Sequence, residues 1–150
     1  MTDARSAFVY VTYIRAAPQR VWTALTDTDF MPRYWFGMSI KSDWRAGAAW
    51  RLENKEGKLF DSGEILEFEP PSKLVLRWTH QSRPELTAEG PARCTMTLEP
   101  YAGATKLTIL HEIERPASKL IEAVSGGWPR ILSNLKSLLE TGEPVFKEVI

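Results

Sequence analysis

The chain has 150 residues, the usual size of one domain, and its 43% hydrophobic and 25% charged residues exclude a disordered or low-complexity protein. Lysine plus arginine (19) equal aspartate plus glutamate (19), so net charge favours neither nucleic acid nor an anionic membrane. Cys94 is the single cysteine, which excludes an internal disulfide. The polar start and the lack of any apolar run near about 18 residues predict one cytoplasmic domain over residues 1–150, with no signal segment and no membrane span.

The first elements are a strand and two short helices. Residues 8–15 are rich in β-branched and aromatic side chains, which predicts a strand. Pro18 suits the first turn of a helix, and the polar cluster at residues 26–29 ends it. A second short helix is predicted over residues 30–35. The first helix has one apolar face, formed by Val21, Trp22 and Leu25.

A run of short strands follows, divided by turns rich in glycine, proline or charge. Alternation predicts which side chains share a face: in residues 73–80 the more apolar set ends with Trp78 and His80. One face of the sheet should therefore be covered and the other wet. The predicted strands are residues 39–44, 48–54, 59–68, 73–80, 92–100 and 105–113.

The last element is a long amphipathic helix. From Ala117 onward, leucine, isoleucine, valine and tryptophan recur at spacings of three and four, and Gly142 and Pro144 end the pattern. Residues 126–129 (Gly-Gly-Trp-Pro) lie inside this stripe, and we predict a kink there or a break into two helices. The order of elements indicates an α+β domain. In it a curved antiparallel sheet of about seven strands wraps around the long C-terminal helix.

Several sequence strings, in their order and spacing, resemble the START-like (SRPBCC) superfamily, and within it the group named for homology to the activator of the heat-shock chaperone ATPase. The resemblance covers nearly the whole chain. It implies a helix-grip fold with a cavity between the sheet and the C-terminal helix. The strings are residues 14–18, 21–22, 25–27, 63–71, 74–78, 127–129 and 132–142.

The resemblance leaves the activity open, because members of the superfamily bind lipids, hormones and polyketides, cyclise or hydrate aromatic substrates, or assist a chaperone. We expect the chaperone role only as an alternative, since the namesakes resemble this chain in one of two domains. A homodimer is also left open. No cofactor is implied.

The candidate ligand-binding residues are aromatic, methionine or histidine side chains placed around the expected cavity, with one leucine. Mostly apolar walls with a few polar groups are typical of small-molecule sites. Each of these residues is also ordinary core material. The set is Trp35, Phe36 and Met38 at the mouth, Trp50 and Phe60 on the strands, Trp78, His80, Met96 and His111 on inward faces, and Trp128 and Leu132 on the helix.

His80, Cys94 and His111 fall at one end of three predicted neighbouring strands, pointing the same way. With strands about 4.8 Å apart, the two histidine backbones would be separated by roughly 10 Å, close enough for zinc or for a cysteine–histidine pair. No short-spaced ligand pair or nucleophile elbow accompanies them, so we predict no metal and favour ligand recognition by a histidine. The acidic residues around one strand, Asp61, Glu64, Glu67 and Glu69, are interpreted as a solvated face.

Three functions remain in competition. The leading hypothesis is the binding of a small hydrophobic or aromatic molecule without a cofactor or covalent step. The second is an enzyme of the cyclase, hydrolase or dehydratase type, using His80, His111 or an inward carboxylate as acid and base. The third is a protein–protein module, in which aromatic residues around Trp35, Phe36 and Trp44 would form an exposed patch.

Overall fold

The computed structural model describes residues 4–147. It contains one antiparallel sheet of seven strands in the order β1-β7-β6-β5-β4-β3-β2. The strands are β1 (Ser6–Ile14), β2 (Ser39–Ser42), β3 (Ala49–Glu53), β4 (Leu59–Glu69), β5 (Lys73–His80), β6 (Ala92–Tyr101) and β7 (Ala104–Ile113), and the helices are α1 (Pro18–Thr26), α2 (Pro84–Thr87) and α3 (Lys119–Thr141). The predicted α+β helix-grip fold is confirmed.

The sheet has one covered face, as the alternation predicts. Along β7 every second residue is buried, ending with Ile109, His111 and Ile113, while the residues between them stay partly exposed. On the other face, Val9 and Tyr13 of β1 are 59% and 44% exposed. Burial at period two is the signature of a strand with one face against a core.

Helix α3 lies against the covered face and is fastened to β1 by polar contacts. Lys136 donates from Nζ to the carbonyl oxygen of Tyr13, and the backbone N–H of Arg15 donates to Glu140 Oε2 at 2.7 Å. The buried side chains of the helix include Trp128 and four leucines toward its C-terminus. The predicted docking of this helix on the inner side of the sheet is therefore observed.

Both ends of α3 are capped. At the N-terminus, the Ser118 hydroxyl accepts from the N–H of Ile121 at 3.1 Å. Glu89, from the segment before β6, accepts from the N–H groups of Lys119 and Leu120 at 2.9 and 3.2 Å. At the C-terminus, Gly142 adopts the left-handed φ of 87° that a non-glycine residue rarely takes.

Three local predictions need correction. The second short helix is only a 3-10 turn, Met31–Arg33, because Phe36 and Gly37 take positive φ values of 52° and 82° that end a right-handed helix. Of the two alternatives predicted at residues 126–129, a kink or a break into two helices, the break is wrong: α3 continues through Pro129. Pro129 removes one backbone hydrogen bond, but buried side chains on either side of it hold the helix to the sheet. Between the strands predicted over residues 73–80 and 92–100, where we predict only a turn, the chain forms the short helix α2.

Strand β4 changes register once along its length, and the change decides which side chains face inward. A bulge lies between Ile65 and Glu67 in its pairing with β5. Before it, Asp61, Gly63 and Ile65 share the inner face; after it, Phe68 is inward and packs edge-on against Trp22, with ring centroids 5.3 Å apart. Because of the bulge, Ile65 and Phe68 both face inward although they are three residues apart.

No helix within residues 4–147 is long and apolar enough to cross a lipid bilayer.

Candidate functional site

Four indoles and one imidazole form a continuous aromatic cluster between the sheet and α3. Trp78 of β5 is at its centre: its ring centroid lies 4.6 Å from that of Trp50, 5.8 Å from that of Trp128 and 5.2 Å from that of His111. Trp35 joins from the other side, 5.5 Å from Trp128. Tilted and edge-to-face contacts at these separations are favourable, so the cluster forms a well-packed floor.

Gly63 makes room for one member of this cluster. The Trp50 indole lies across β4 and donates from Nε1 to the carbonyl oxygen of Arg77 at 3.1 Å. A Cβ added to Gly63 would come 1.7 Å from that same oxygen and 2.9 Å from the indole nitrogen. Only glycine fits at this point of the strand.

His111 is buried beneath Trp128 and is held neutral. The Trp128 indole donates from Nε1 to His111 Nδ1 at 3.1 Å, so the neutral ring carries its proton on Nε2. Burial lowers the pKa of His111 to about 3, because no described carboxylate compensates an imidazolium there. His111 Nε2 has no hydrogen-bond partner among the described residues.

A cavity of about 200 Å³ lies above this floor, between β3, β4 and β5 on one side and the first part of α3 on the other. Its walls are almost entirely apolar. The lining residues are Trp35, Met38, Leu52, Phe60, Asp61, Trp78, His80, Leu120, Ala123, Val124, Gly127, Trp128 and Ile131.

The helix wall of the cavity follows one helical face. Leu120, Val124, Gly127 and Ile131 are spaced by three and four residues, which places them one above another. A Cβ added to Gly127 would meet nothing within 4 Å. The missing side chain of Gly127 thus leaves part of the space open.

One end of the cavity is polar. Asp61 of β4 and His80 of β5 are direct cross-strand partners on the inner face. Asp61 Oδ1 lies 2.7 Å from His80 Nδ1, at ion-pair distance but without an aligned hydrogen bond. His80 Nε2 lies 2.9 Å from the hydroxyl oxygen of Ser82. Two polar side chains are thus set into an otherwise apolar wall.

His80, Cys94 and His111, which the sequence places at one end of three neighbouring strands, do not converge. Cys94 pairs with His111 on β7 and with Leu76 on β5, so His80 is displaced four residues from it, or about 13 Å along the strand. Burial raises the pKa of the Cys94 thiol far above its usual range, which suits a core residue and not a nucleophile. Within residues 4–147 no three potential metal ligands come together.

The structure divides the predicted site residues into two groups. On the cavity wall lie Trp35, Met38, Phe60, Trp78, His80 and Trp128. The others lie elsewhere: Trp50, Met96, His111 and Leu132 are in the core behind the wall, and Phe36 lines a separate surface groove beside Lys55. Parity and spacing identify the inner face, but not which inner residues border empty space.

The sequence interpretation missed Asp61, which it placed on a solvated face. The side chain is 10% exposed and borders the cavity. Alternation along β4 could have shown this, because Asp61 is two residues from Gly63 and four from Ile65, which both face inward. Glu64 and Glu67 instead point outward, to Arg77 and Arg93. Leu52, Leu120, Ala123, Val124, Gly127 and Ile131 were also not among the predicted wall residues.

Residues 15–140 match the family described as Activator of Hsp90 ATPase homolog 1-like protein. Comparison with curated proteins gives no match.

Solved structures share the fold over nearly the whole chain. CalU16 from Micromonospora echinospora is 23% identical with a TM-score of 0.73, covering 91% of this chain and 77% of its own. The Aha1 dimer from Colwellia psychrerythraea is 17% identical with a TM-score of 0.74, covering 91% and 98%. An HSP90 activator from Plasmodium falciparum is 23% identical with a TM-score of 0.72, covering 89% and 96%. At these identities the likeness concerns the fold alone.

Proposed function

We propose that this chain, which belongs to the family of Activator of Hsp90 ATPase homolog 1-like proteins, binds a small aromatic or apolar molecule in the cavity between the sheet and α3. The observation that carries the proposal is a cavity of about 200 Å³ whose wall combines three indoles with a helix face opened by Gly127. Binding requires no cofactor in this proposal.

The volume of the cavity sets the size of the ligand. An apolar space of roughly 150 Å³ is enough to hold benzene, whereas drug-sized ligands occupy about 300 Å³ or more. At about 200 Å³, the space suits a molecule with one aromatic ring. Met38, Phe60, Val124 and Ile131 on the wall remain partly exposed, which provides a route of entry.

Recognition is favoured over nucleophilic catalysis by the order of the polar groups. Asp61, His80 and Ser82 form a chain that resembles a hydrolase triad in its residue types. Asp61 and His80 border the cavity, but Ser82 is not on its wall. The serine hydroxyl is thus not presented to a molecule in the cavity, and its contact with Nε2 instead orients the imidazole.

A protein–protein role at the mouth has less support. Trp35 is 3% exposed and packs against Trp128, so it belongs to a wall and not to an exposed patch. Within the described chain, the exposed large hydrophobic side chains are Val9, Val11 and Tyr13 on β1, Tyr101 at the end of β6, and Val145 after α3, and Trp35, Phe36 and Trp44 are not among them. A chaperone partner and a homodimer are the alternatives that the Plasmodium and Colwellia proteins suggest.

The test measures toluene binding in the cavity before and after a substitution on α3 that fills part of it. Toluene is titrated into the protein, and the indole N–H signals of Trp35, Trp78 and Trp128 are followed by NMR. We expect these three to shift while those of Trp22 and Trp44, which do not line the cavity, stay in place. Gly127→Leu should weaken toluene binding at least tenfold, because the new side chain occupies the open space.

Gly126→Leu is the matched control. Both glycines lie in α3, and a Cβ at either meets nothing within 4 Å, but Gly126 does not line the cavity. Both variants gain helix propensity by the same residue change, so stability alone does not separate them. Equal weakening by the two variants, or no saturable binding of toluene to the unmodified protein, would contradict the proposal.

A further inference from the structure

We infer that Asp61, held beside His80, is a hydrogen-bond acceptor for the ligand, and that the cavity therefore takes a one-ring aromatic molecule carrying a donor such as a phenolic hydroxyl. This inference rests on the proposed function and narrows its ligand class. The observation behind it is a carboxylate whose second oxygen, Oδ2, accepts no hydrogen bond from the described residues, in a wall that is apolar apart from Asp61 and His80.

Asp61 is placed inward by strand pairing and has unused acceptor capacity. Its side chain is 10% exposed; the buried oxygen Oδ1 lies 2.7 Å from His80 Nδ1, and the second oxygen, Oδ2, accepts no hydrogen bond from the described residues. A carboxylate has two oxygens that each accept more than one hydrogen bond, and leaving them unpaired in an apolar setting is costly. A ligand that donates to this group would relieve that cost.

His80 makes the pair selective for donors. One ring nitrogen faces Asp61 Oδ1 at 2.7 Å and the other faces Ser82 Oγ at 2.9 Å. Both nitrogens therefore have a polar neighbour in the protein, which leaves the Asp61 carboxylate as the group of the pair that can still accept a hydrogen bond. The segment is held in place because Thr87 donates to the His80 carbonyl at 2.6 Å.

The opposite wall explains why the ligand would be aromatic as well as polar. Val124, Gly127 and Ile131 of α3 offer no polar side chain, and Trp78 and Trp128 present their rings. A phenol can place its ring against these groups and its hydroxyl toward Asp61. An equally sized ring without a donor gains the same apolar contacts but leaves the carboxylate unpaired.

The experiment compares phenol with toluene by titration calorimetry at neutral pH. We expect the unmodified protein to bind phenol about tenfold more tightly, the ratio that a hydrogen bond of about 1.4 kcal/mol to a charged group produces. In Asp61→Leu the preference should vanish while toluene binding persists, which also reports that the variant is folded. Asp61→Asn, which keeps an acceptor of the same shape but removes the charge, should show an intermediate preference.

Glu64→Gln is the matched control, since Glu64 lies on the same strand but points outward to Arg77. It should leave the phenol preference unchanged. Equal binding of phenol and toluene by the unmodified protein would overturn this inference and leave the proposed function standing. Failure of both compounds to bind would overturn the two together. A phenol preference that persists in both Asp61 variants would show that another group accepts the hydroxyl.

Discussion

The two halves of helix α3 carry the same apolar stripe but meet different surroundings. In the packed half, residues 132–141, Leu132, Leu135, Leu138 and Leu139 are all buried. In the open half, residues 119–131, Val124 and Ile131 remain partly exposed along the cavity, and Gly127 leaves space beside them. The comparison shows that hydrophobic spacing determines which face of a helix turns inward, whereas the facing residues determine whether that face is filled.

Truncating a leucine in the packed half should give the largest loss of stability. Leu135 is 0% exposed, so Leu135→Ala should lower the free energy of unfolding by about 3 kcal/mol, through lost burial and a new cavity. Val124→Ala removes side-chain atoms that already border open space and should cost about 1 kcal/mol or less. Urea denaturation of both variants measures the difference, and equal losses of stability would show that the two halves of α3 are packed alike.

His111, beneath Trp128 where the two halves meet, should give the next largest effect, and it depends on pH. Its pKa in the folded chain, about 3, is below the value near 6.5 of the unfolded chain. The neutral ring is therefore favoured by folding, so this contribution is complete above about pH 6.5 and is lost as the pH falls toward 3. Between pH 7 and pH 5 the loss should be about 2 kcal/mol.

His111→Gln removes the titration while keeping an acceptor for the Trp128 indole. Urea denaturation at pH 7 and pH 5 should show a smaller dependence on pH in this variant than in the unmodified protein. His80→Gln is the control, since His80 is not enclosed by the aromatic cluster. If the two variants lose stability equally on acidification, burial of His111 is not the source.

The smallest expected effect concerns the N-terminal cap of the open half. Burial alone would raise the pKa of Glu89, but hydrogen bonds from Ser118, Lys119 and Leu120 lower it overall. Glu89→Gln should reduce the free energy of unfolding by about 1 kcal/mol at neutral pH. Because the pKa is lowered on folding, the difference from the unmodified protein should shrink as the pH falls below about 4.5.

Glu122→Gln is the comparison for the cap, because Glu122 also lies in the first turn of α3 but is exposed. It should change stability by only a few tenths of a kcal/mol. Thermal unfolding of the two variants at pH 7 separates a specific cap from a general effect of charge at the helix N-terminus. Similar losses would assign the effect to charge alone.

Most of the fold could be predicted from the sequence because its elements follow strong local rules. The strand over residues 73–80 has the predicted bounds, and Pro18 and Gly142 mark the ends of helices as proline and glycine usually do. The break expected near Pro129 failed because tertiary packing on both sides of it outweighs one missing backbone hydrogen bond. Helix propensity describes the preference of a single residue, whereas the continuity of α3 also depends on its packing against the sheet.

The site was less predictable because a cavity depends on what fails to fill a space. Trp50 and Trp78 share the inner face of the sheet, but only Trp78 borders the cavity, since Trp50 lies across Gly63 beneath it. The register between neighbouring strands places Cys94 opposite His111 and His80 opposite Asp61. This register is fixed by turns and bulges, which cannot be read from the sequence of one strand alone. Alternation predicts which face of the sheet a side chain lies on, but not its position along the strands relative to side chains on neighbouring strands.

The contacts between the packed half and β1 also protect an edge of the sheet. β1 and β2 are the two edge strands, and β2 has only four residues. At the end of β1, Lys136 binds the Tyr13 carbonyl and Glu140 binds the N–H of Arg15, the residue after the strand; an incoming strand from another molecule would need these backbone groups. Release of this end of the helix would uncover these groups next to the exposed side chains of Val9 and Val11, so partial unfolding there would favour aggregation by strand addition.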